Sequence, residues 1–208
     1  MAWMSYPSIL TRRAAGVQGG WVGRPQPGGG EARTGPVGDP QPVAPLILTL
    51  LLDPASQSRF DALRSAHFPP ERNLLAAHVT LFHALPGDAE QQVRADLAEL
   101  ARRSPFPVGV TGLRSLGRGV AYVLESGELA ALHRELAARW RDHLTRQDRQ
   151  PLRAHVTVQN KVRADEAAAL LAELRGGFTP WSAQAGGLAL WRYLGGPWEH
   201  LETVPFTG

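Results

Sequence analysis

The chain has no cysteine, which excludes disulfides, thiolate nucleophiles and cysteine-ligated zinc. It has almost no lysine: of the 22 basic residues only Lys161 is lysine, and the rest are arginine. Lys161 lies in neither a Lys-x-Asp-Gly setting nor a Gly-x-x-x-x-Gly-Lys loop. That removes a lysyl-nucleotide ligase and a P-loop enzyme from consideration. There is no Gly-x-Ser-x-Gly elbow and no His-Glu-x-x-His metal motif. No run of 18 apolar residues exists to cross a membrane as a helix. The N-terminus lacks the compact apolar segment and small-residue site of a signal peptide. A formal charge of +3, without a basic tail, gives no reason to expect nonspecific binding of long polyanions. These absences leave a cytoplasmic enzyme, without membrane attachment, as the expectation.

Periodic structure is also missing from residues 1–44. Gly28-Gly29-Gly30 and the spaced Pro36, Pro40, Pro42 and Pro45 suit neither a helix nor a central strand. A disordered Gly/Pro-rich leader is expected there, followed by one folded domain over 45–206. Leu46 to Leu52 reads as a buried strand. Asp53-Pro54 starts a helix carrying Phe60, Leu63 and His67, which Pro69-Pro70 ends. A strand is expected over about 77–84. Asp88 is read as the cap of a helix with Val93, Leu97, Leu100 and Ala101 inward, and Phe106 to Leu116 alternates as a strand. The order then recurs. Val120 to Glu125 is a strand, and Ser126 caps a long helix with Leu129, Leu132, Leu136, Trp140 and Leu144 at helical spacing. A strand follows over about 153–161. Asp165 opens a helix that stops at Gly176-Gly177. Gly187–Leu194 and Glu199–Phe206 close the chain around a turn at Gly195-Gly196-Pro197.

Within this recurrence lies a repeated string. Ala77-His78-Val79-Thr80-Leu81-Phe82 and Ala154-His155-Val156-Thr157-Val158-Gln159 share Ala-His-Val-Thr-apolar, 77 residues apart. Composition alone predicts roughly 0.02 His-Val-Thr triplets in such a chain, so two of them signal an internal repeat. The histidine falls 32 residues after Leu46 in the first half and 35 after Val120 in the second. A duplicated strand-helix-strand-helix-strand unit follows, with halves of about 45–116 and 117–206. The fold class is therefore α+β and bilobal: two antiparallel-rich sheets facing a central cleft, with helices outside.

Side chains at i and i+2 of a strand share a face. His78 and Thr80 then point one way, as do His155, Thr157 and Gln159, while Val79, Leu81, Val156 and Val158 anchor the strands behind. Two imidazoles and two hydroxyls converging across a pseudo-twofold axis suit a phosphate. One imidazole, neutral, activates water or a ribose hydroxyl, and the other, protonated, donates to the leaving oxygen. The threonine hydroxyls hold nonbridging oxygens as charge builds.

Further substrate contacts are expected at Phe82 and Gln159, which share that face in regular alternation. Arg118, in a Gly-Arg-Gly turn, offers a bidentate fork, and Tyr122, Trp191 and Tyr193 offer rings for a base. His83 is out of phase with His78 and reads as structural, as do His67, His133, His143 and His200. The His-x-Thr repeats lack a third ligand at a telling spacing, so no metal or cofactor is assigned.

The paired His-x-Thr-apolar strings, with their extensions His78 to Gly87 and His155 to Val162, resemble the 2H phosphoesterase superfamily. The similarity is to its 2′-5′ RNA ligase-like, or RNA 2′,3′-cyclic phosphodiesterase, branch, and it spans about residues 45–206. The resemblance implies metal-independent conversion of 2′,3′-cyclic phosphates to 2′-phosphates, with reversible 2′-5′ ligation beside it. It places His78 and His155 as the catalytic histidines and Thr80 and Thr157 as the phosphate-binding hydroxyls. For hydrolysis His155 is taken as base and His78 as acid. The expected partners are RNA 2′,3′-cyclic phosphate ends or cyclic nucleotides, met by a monomer. The scarcity of lysine favours nucleotides or short ends over long RNA. Two alternatives remain: a phosphodiesterase for ADP-ribose cyclic phosphate or another small nucleotide, and a noncatalytic binder of RNA ends or nucleotides.

Overall fold

A computed structural model describes residues 43–208 of the chain. The expected leader therefore lies outside the described residues, apart from its last two positions. The order of elements is β1 (Leu46–Leu52), α1 (Pro54–His67), β2 (Val79–Leu85), α2 (Glu90–Leu100), β3 (Phe106–Ser115), β4 (Gly119–Glu125), α3 (Gly127–Arg139), β5 (His155–Asn160), α4 (Ala164–Gly176), β6 (Trp181–Tyr193) and β7 (Trp198–Pro205). This is the α+β arrangement the sequence implies. Most helix ends follow their sequence signals. Asp53 Oδ1 accepts the Ser56 N–H at 2.9 Å at the head of α1, and Ser126 Oγ accepts the Leu129 N–H at 3.3 Å at the head of α3.

Three ends differ from expectation. Asp88 does not cap α2; it sits in a short 3-10 turn, Gly87–Ala89, because that turn is drawn against the chain at Ala44. A Cβ on Gly87 would stand 2.2 Å from the Ala44 carbonyl oxygen. Asp165 lies inside α4 and pairs with Arg163 at 3.0 Å. The expected continuation of α3 to Leu144 breaks at Trp140, whose indole N–H is held by Asp96 at 2.8 Å, and a 3-10 turn, Arg141–His143, follows.

All seven strands join one antiparallel sheet, in the order β2-β1-β6-β3-β4-β5, with β7 also on β6. The two expected sheets are thus two wings of one sheet. The reason is the length of β6: over its 13 residues it pairs β1 along one edge, and β3 and then β7 along the other. The duplicated halves interlock through this strand, which belongs to the second half and pairs with β1 and β3 of the first, and again where β3 pairs with β4. The helices cross over as well. Phe60 of α1 packs against Tyr122 of β4 and Trp181 of β6, each at 5.6 Å between ring centroids. Conversely, His133 of α3 stacks on Phe82 of β2 at 4.6 Å. Each half's first helix therefore buttresses the other half's histidine strand. The sheet's two end strands, β2 and β5, come within 8 Å of one another, Cα to Cα.

Candidate active site

Both histidine strands carry the same irregularity. On β2, Val79 and Thr80 stand opposite Leu50 and Thr49, but Phe82 is opposite Leu48 and Leu85 opposite Leu46, so the register shifts twice. On β5, Thr157 is opposite Ala121 and Gln159 opposite Val120, one shift at the matching place. Each shift inserts a residue and reverses the faces beyond it. Leu81 and Phe82 are consequently both buried, as are Val158 and Gln159. Full burial of a phenylalanine side chain is worth roughly 2–3 kcal/mol, which favours a bulge over a Phe82 left facing the cleft. Gly119 permits the close approach on β5: a Cβ there would lie 2.1 Å from the Gln159 carbonyl oxygen.

Two rows result. His78, Thr80 and His83 line one strand, and His155, Thr157 and Asn160 line the other. In each row the third residue is the one that the bulge turns back to the cleft.

The two motif histidines are held alike. The His78 Nδ1 lies 2.8 Å from the Ala76 carbonyl oxygen, and the His155 Nδ1 lies 2.8 Å from that of Arg153. A carbonyl only accepts, so each Nδ1 carries a hydrogen and each Nε2 is left as the atom that takes up or releases a proton. Both rings are half-buried. Burial is the main cause that pushes His78 down to about 4 from 6.5; the Ala76 carbonyl opposes it, and charge on Arg64, His155 and His83 adds to the fall. For His155, burial again lowers the pKa, the Arg153 carbonyl opposes, and Arg114 and His83 add to the lowering. The two motifs thus lie close enough for charge on one to be felt at the other.

Helix α1 sets the position of His78. Asp61 accepts the Ala77 N–H at 2.7 Å, and Gln57 Nε2 donates to the Ala77 carbonyl at 2.8 Å. Arg64, only 6 % exposed, donates through Nε to Asn73 Oδ1 and the Leu75 carbonyl, and through Nη1 to the Thr157 carbonyl at 2.8 Å. One guanidinium therefore ties the approach to the first motif to the backbone of the second.

Four expected contacts fall elsewhere. Phe82 has no exposed surface and is closed in by His133 and Trp140. Gln159 is 8 % exposed, with Oε1 buried and without a partner among the described residues. Both were placed on the cleft by strict alternation, which the bulges break. Tyr122 is buried in a ring cluster with Phe60, Phe178 and Trp181, where burial pushes its hydroxyl pKa up. Arg118 is exposed and donates to the Val162 carbonyl at 2.9 Å. It precedes β4, beside the end of β5 distant from His155, four ladder positions or about 14 Å away.

Other residues take their places. Arg114 stands opposite Ala121, which is itself opposite Thr157. Directly opposed residues share a face, so Arg114 faces the cleft beside the second motif. Its Nε is buried without a partner among the described residues. The shift in β3 between Val110 and Gly112 turns it there. An arginine in phase with Phe106, Val108 and Val110 was the available signal of that shift. Trp198 lies 4.7 Å from the His78 ring, and Trp191 is 6.2 Å further on, its indole N–H held by Thr49 at 2.9 Å. Tyr193 is 41 % exposed. A separate hollow of about 470 Å³ between α2 and the end of α3 is lined by Asp96, Arg139 and Trp140. Those groups already bond one another, so it reads as helix packing. Among the described residues, no three His, Asp or Glu side chains gather as a metal would need, and no helix is long and apolar enough to cross a membrane.

Comparison with known proteins agrees with this geometry. The family model of the 2′-5′ RNA ligase superfamily matches residues 52–197. No curated protein matches significantly. Among solved structures, TT0787 of Thermus thermophilus superposes with a TM-score of 0.54 at 17% identity, covering 79% of this chain and 98% of that one. E. coli LigT complexed with NADP+ gives 0.52 at 19% identity, covering 79% and 99%. E. coli LigT complexed with ATP gives 0.50 at 20% identity, covering 81% and 100%. At these identities the likeness is one of fold.

Proposed function

Since the chain belongs to the 2′-5′ RNA ligase superfamily, we propose that it hydrolyses 2′,3′-cyclic phosphates, of nucleotides or short RNA ends, to 2′-phosphates by two-histidine acid–base catalysis. The observation that carries this reading is the pair of matched rows. Each presents an imidazole fixed through Nδ1 to a carbonyl, with a threonine next on the same face. Bound between the rows, the phosphate has Thr80 and Thr157 on its nonbridging oxygens. One Nε2 takes a proton from water as its oxygen attacks phosphorus. The other donates a proton to the 3′-oxygen as the P–O3′ bond breaks. The same steps with a ribose 5′-hydroxyl in place of water form a 2′-5′ linkage, and their reversal, attack by the 3′-hydroxyl with departure of the 5′-hydroxyl, cleaves it.

The depressed pKa of His78 bears on which ring does which. A group with a pKa of about 4 is protonated in only about one molecule in a thousand at pH 7. As acid it would start from a rare state; as base it starts ready. We therefore assign His78 as base and His155 as acid, the reverse of the sequence expectation. Arg114, beside Thr157, supplies fixed positive charge for the phosphate. Trp198 and Trp191 offer ring faces beside His78 for a nucleobase. The structures of LigT with NADP+ and with ATP are consistent with a nucleotide ligand for this fold.

The test is turnover of a panel of 2′,3′-cyclic nucleotides by purified protein, with and without EDTA. His78→Ala and His155→Ala should each lower kcat by about 10²–10⁴, the usual contribution of a general acid or base, at an unchanged melting temperature. Undiminished turnover in either variant would remove the paired roles. Loss of activity in EDTA would remove the metal-free mechanism.

A further inference from the structure

A third histidine borders the two rows. His83 is turned to the cleft by the shifts in β2 and its side chain is 47% exposed. Its Nδ1 lies 3.1 Å from Asp148 Oδ1. Asp148, in the segment after α3, has a side chain only 1% exposed. It also accepts the His83 N–H at 2.9 Å, the Ala84 N–H at 3.0 Å and the Thr145 hydroxyl at 3.1 Å. Despite burial, which acts the other way, the bonds from His83 and Ala84 hold the carboxyl below the usual aspartate range. The carboxylate is ionised and can only accept, so His83 carries a hydrogen on Nδ1 and presents Nε2 outward.

The arrangement is more than a strand fastening needs. The backbone bonds to His83 and Ala84 already fix β2 to Asp148. The imidazole adds a group with a free, solvent-facing Nε2, backed by a buried negative charge. Its place is equally informative. Phe82 pairs with Leu48 and Leu85 with Leu46, so His83 sits level with Ile47, two ladder positions from Thr49 and hence about 7 Å beyond Thr80. It flanks the phosphate between the motifs without entering it. The corresponding place in the other row is Asn160, whose Oδ1 accepts the Lys161 N–H at 2.8 Å.

We propose that His83, braced by Asp148, is a substrate-binding residue whose Nε2 donates to a second anionic group of the ligand, one phosphate step from the phosphate held by His78, Thr80, His155 and Thr157. This rests on the reading of the paired motifs as a phosphate site. As imidazolium, His83 donates from both nitrogens, one to Asp148 and one to the ligand, a charge-assisted bond at each end. The charged and titratable groups around it are Asp148, His78 and His155. The second anion can be the 5′-phosphate of a free nucleotide or the preceding phosphodiester of an RNA end. Both lie on the same nucleoside.

The experiment needs no turnover. Dissociation constants at pH 6 are measured calorimetrically for adenosine 2′-monophosphate, adenosine 2′,5′-bisphosphate and ApA bearing a terminal 2′-phosphate. They are measured with the wild type, His83→Ala and His83→Gln. The wild type should bind at least one of the two probes bearing a second phosphate about tenfold more tightly than the monophosphate, as one charge-assisted bond allows. In His83→Ala that ratio should fall to near one. In His83→Gln, whose amide reaches the place of Nε2, it should partly recover. A preference for the bisphosphate assigns the contact to a free 5′-phosphate, and a preference for the dinucleotide assigns it to an RNA chain. A ratio unchanged in His83→Ala, or equal binding of all three probes by the wild type, overturns the proposal. Failure of the monophosphate itself to bind would instead count against the phosphate site. Melting temperatures verify folding, which a half-exposed side chain should not disturb.

Discussion

Replacing Trp198 with alanine should raise the pKa of His78, and the structure sets the scale. The indole ring lies 4.7 Å from the imidazole at an angle of 53°. Burial is the largest cause of the fall from 6.5 to about 4, ahead of the charges on Arg64, His155 and His83. A shift of that size corresponds to roughly 3.4 kcal/mol of proton affinity. Removing the indole returns water to one face of the ring and leaves the neighbouring cations in place. The expected result is a rise of about one unit or more, short of full recovery. Arg64→Met tests the smaller contribution and should raise the pKa less. The assay is the titration of the His78 ring carbons by NMR from pH 3 to 8, in wild type, Trp198→Ala and Arg64→Met. Stability should follow in a defined direction. His78 titrates lower in the folded chain than in the unfolded one, so its contribution is full above about pH 6.5. It is lost as pH falls through the folded value near 4, because the unfolded chain binds the proton first. Trp198→Ala should therefore soften the decline of melting temperature between those limits. A wild-type His78 titrating near 6.5, or one still near 4 without the indole, would refute the assignment of the shift to burial.

Two further outcomes follow from the same site. The pH profile of kcat/KM should rise through about 4 as His78 loses its proton. It should decline on the alkaline side below 6.5 as His155, also lowered by burial, loses its own, giving an acidic optimum; a profile still rising above pH 7 would contradict the roles assigned. Arg114→Met keeps the length of the side chain and removes its charge, so it should raise KM for a cyclic nucleotide about tenfold and raise the pKa of His155; an unchanged KM would place Arg114 outside the site.

The elements were legible wherever the sequence kept one period. Leu46 to Leu52, the Asp53-Pro54 start of α1, the Ser126 cap and the Gly176-Gly177 stop all lie where propensity and capping put them. The histidine and threonine of each motif were legible because no shift separates them. What alternation could not give is the chain beyond each bulge. Phe82 and Gln159 were assigned to the cleft and His83 to the back, and the inserted residue exchanges them. The clue was two adjacent apolar residues, Leu81-Phe82, in a strand otherwise read as alternating. Arg114 was hidden by the same effect on β3. The joining of both wings by β6 and the crossing of α1 and α3 depend on long-range pairing, which a one-dimensional period does not encode.

Duplication explains how two imidazoles converge, but it does not explain how they differ, and catalysis needs the difference. A symmetric pair would not distinguish attacking water from leaving oxygen. The backbone cannot supply the distinction, because both rings bond the carbonyl two residues back at the same 2.8 Å. The packing around them does. His78 has Trp198 against its ring and Arg64 near it, while His155 has Arg114. The third place in each row diverges as well, a braced imidazole at His83 and a self-bonded amide at Asn160. The first difference lowers His78 to about 4, so that it starts ready as base. The second sets which side of the phosphate meets more of the substrate. Direction in this site therefore resides in residues outside the repeated His-Val-Thr string, and substitutions there should change pH dependence and ligand preference before they abolish turnover.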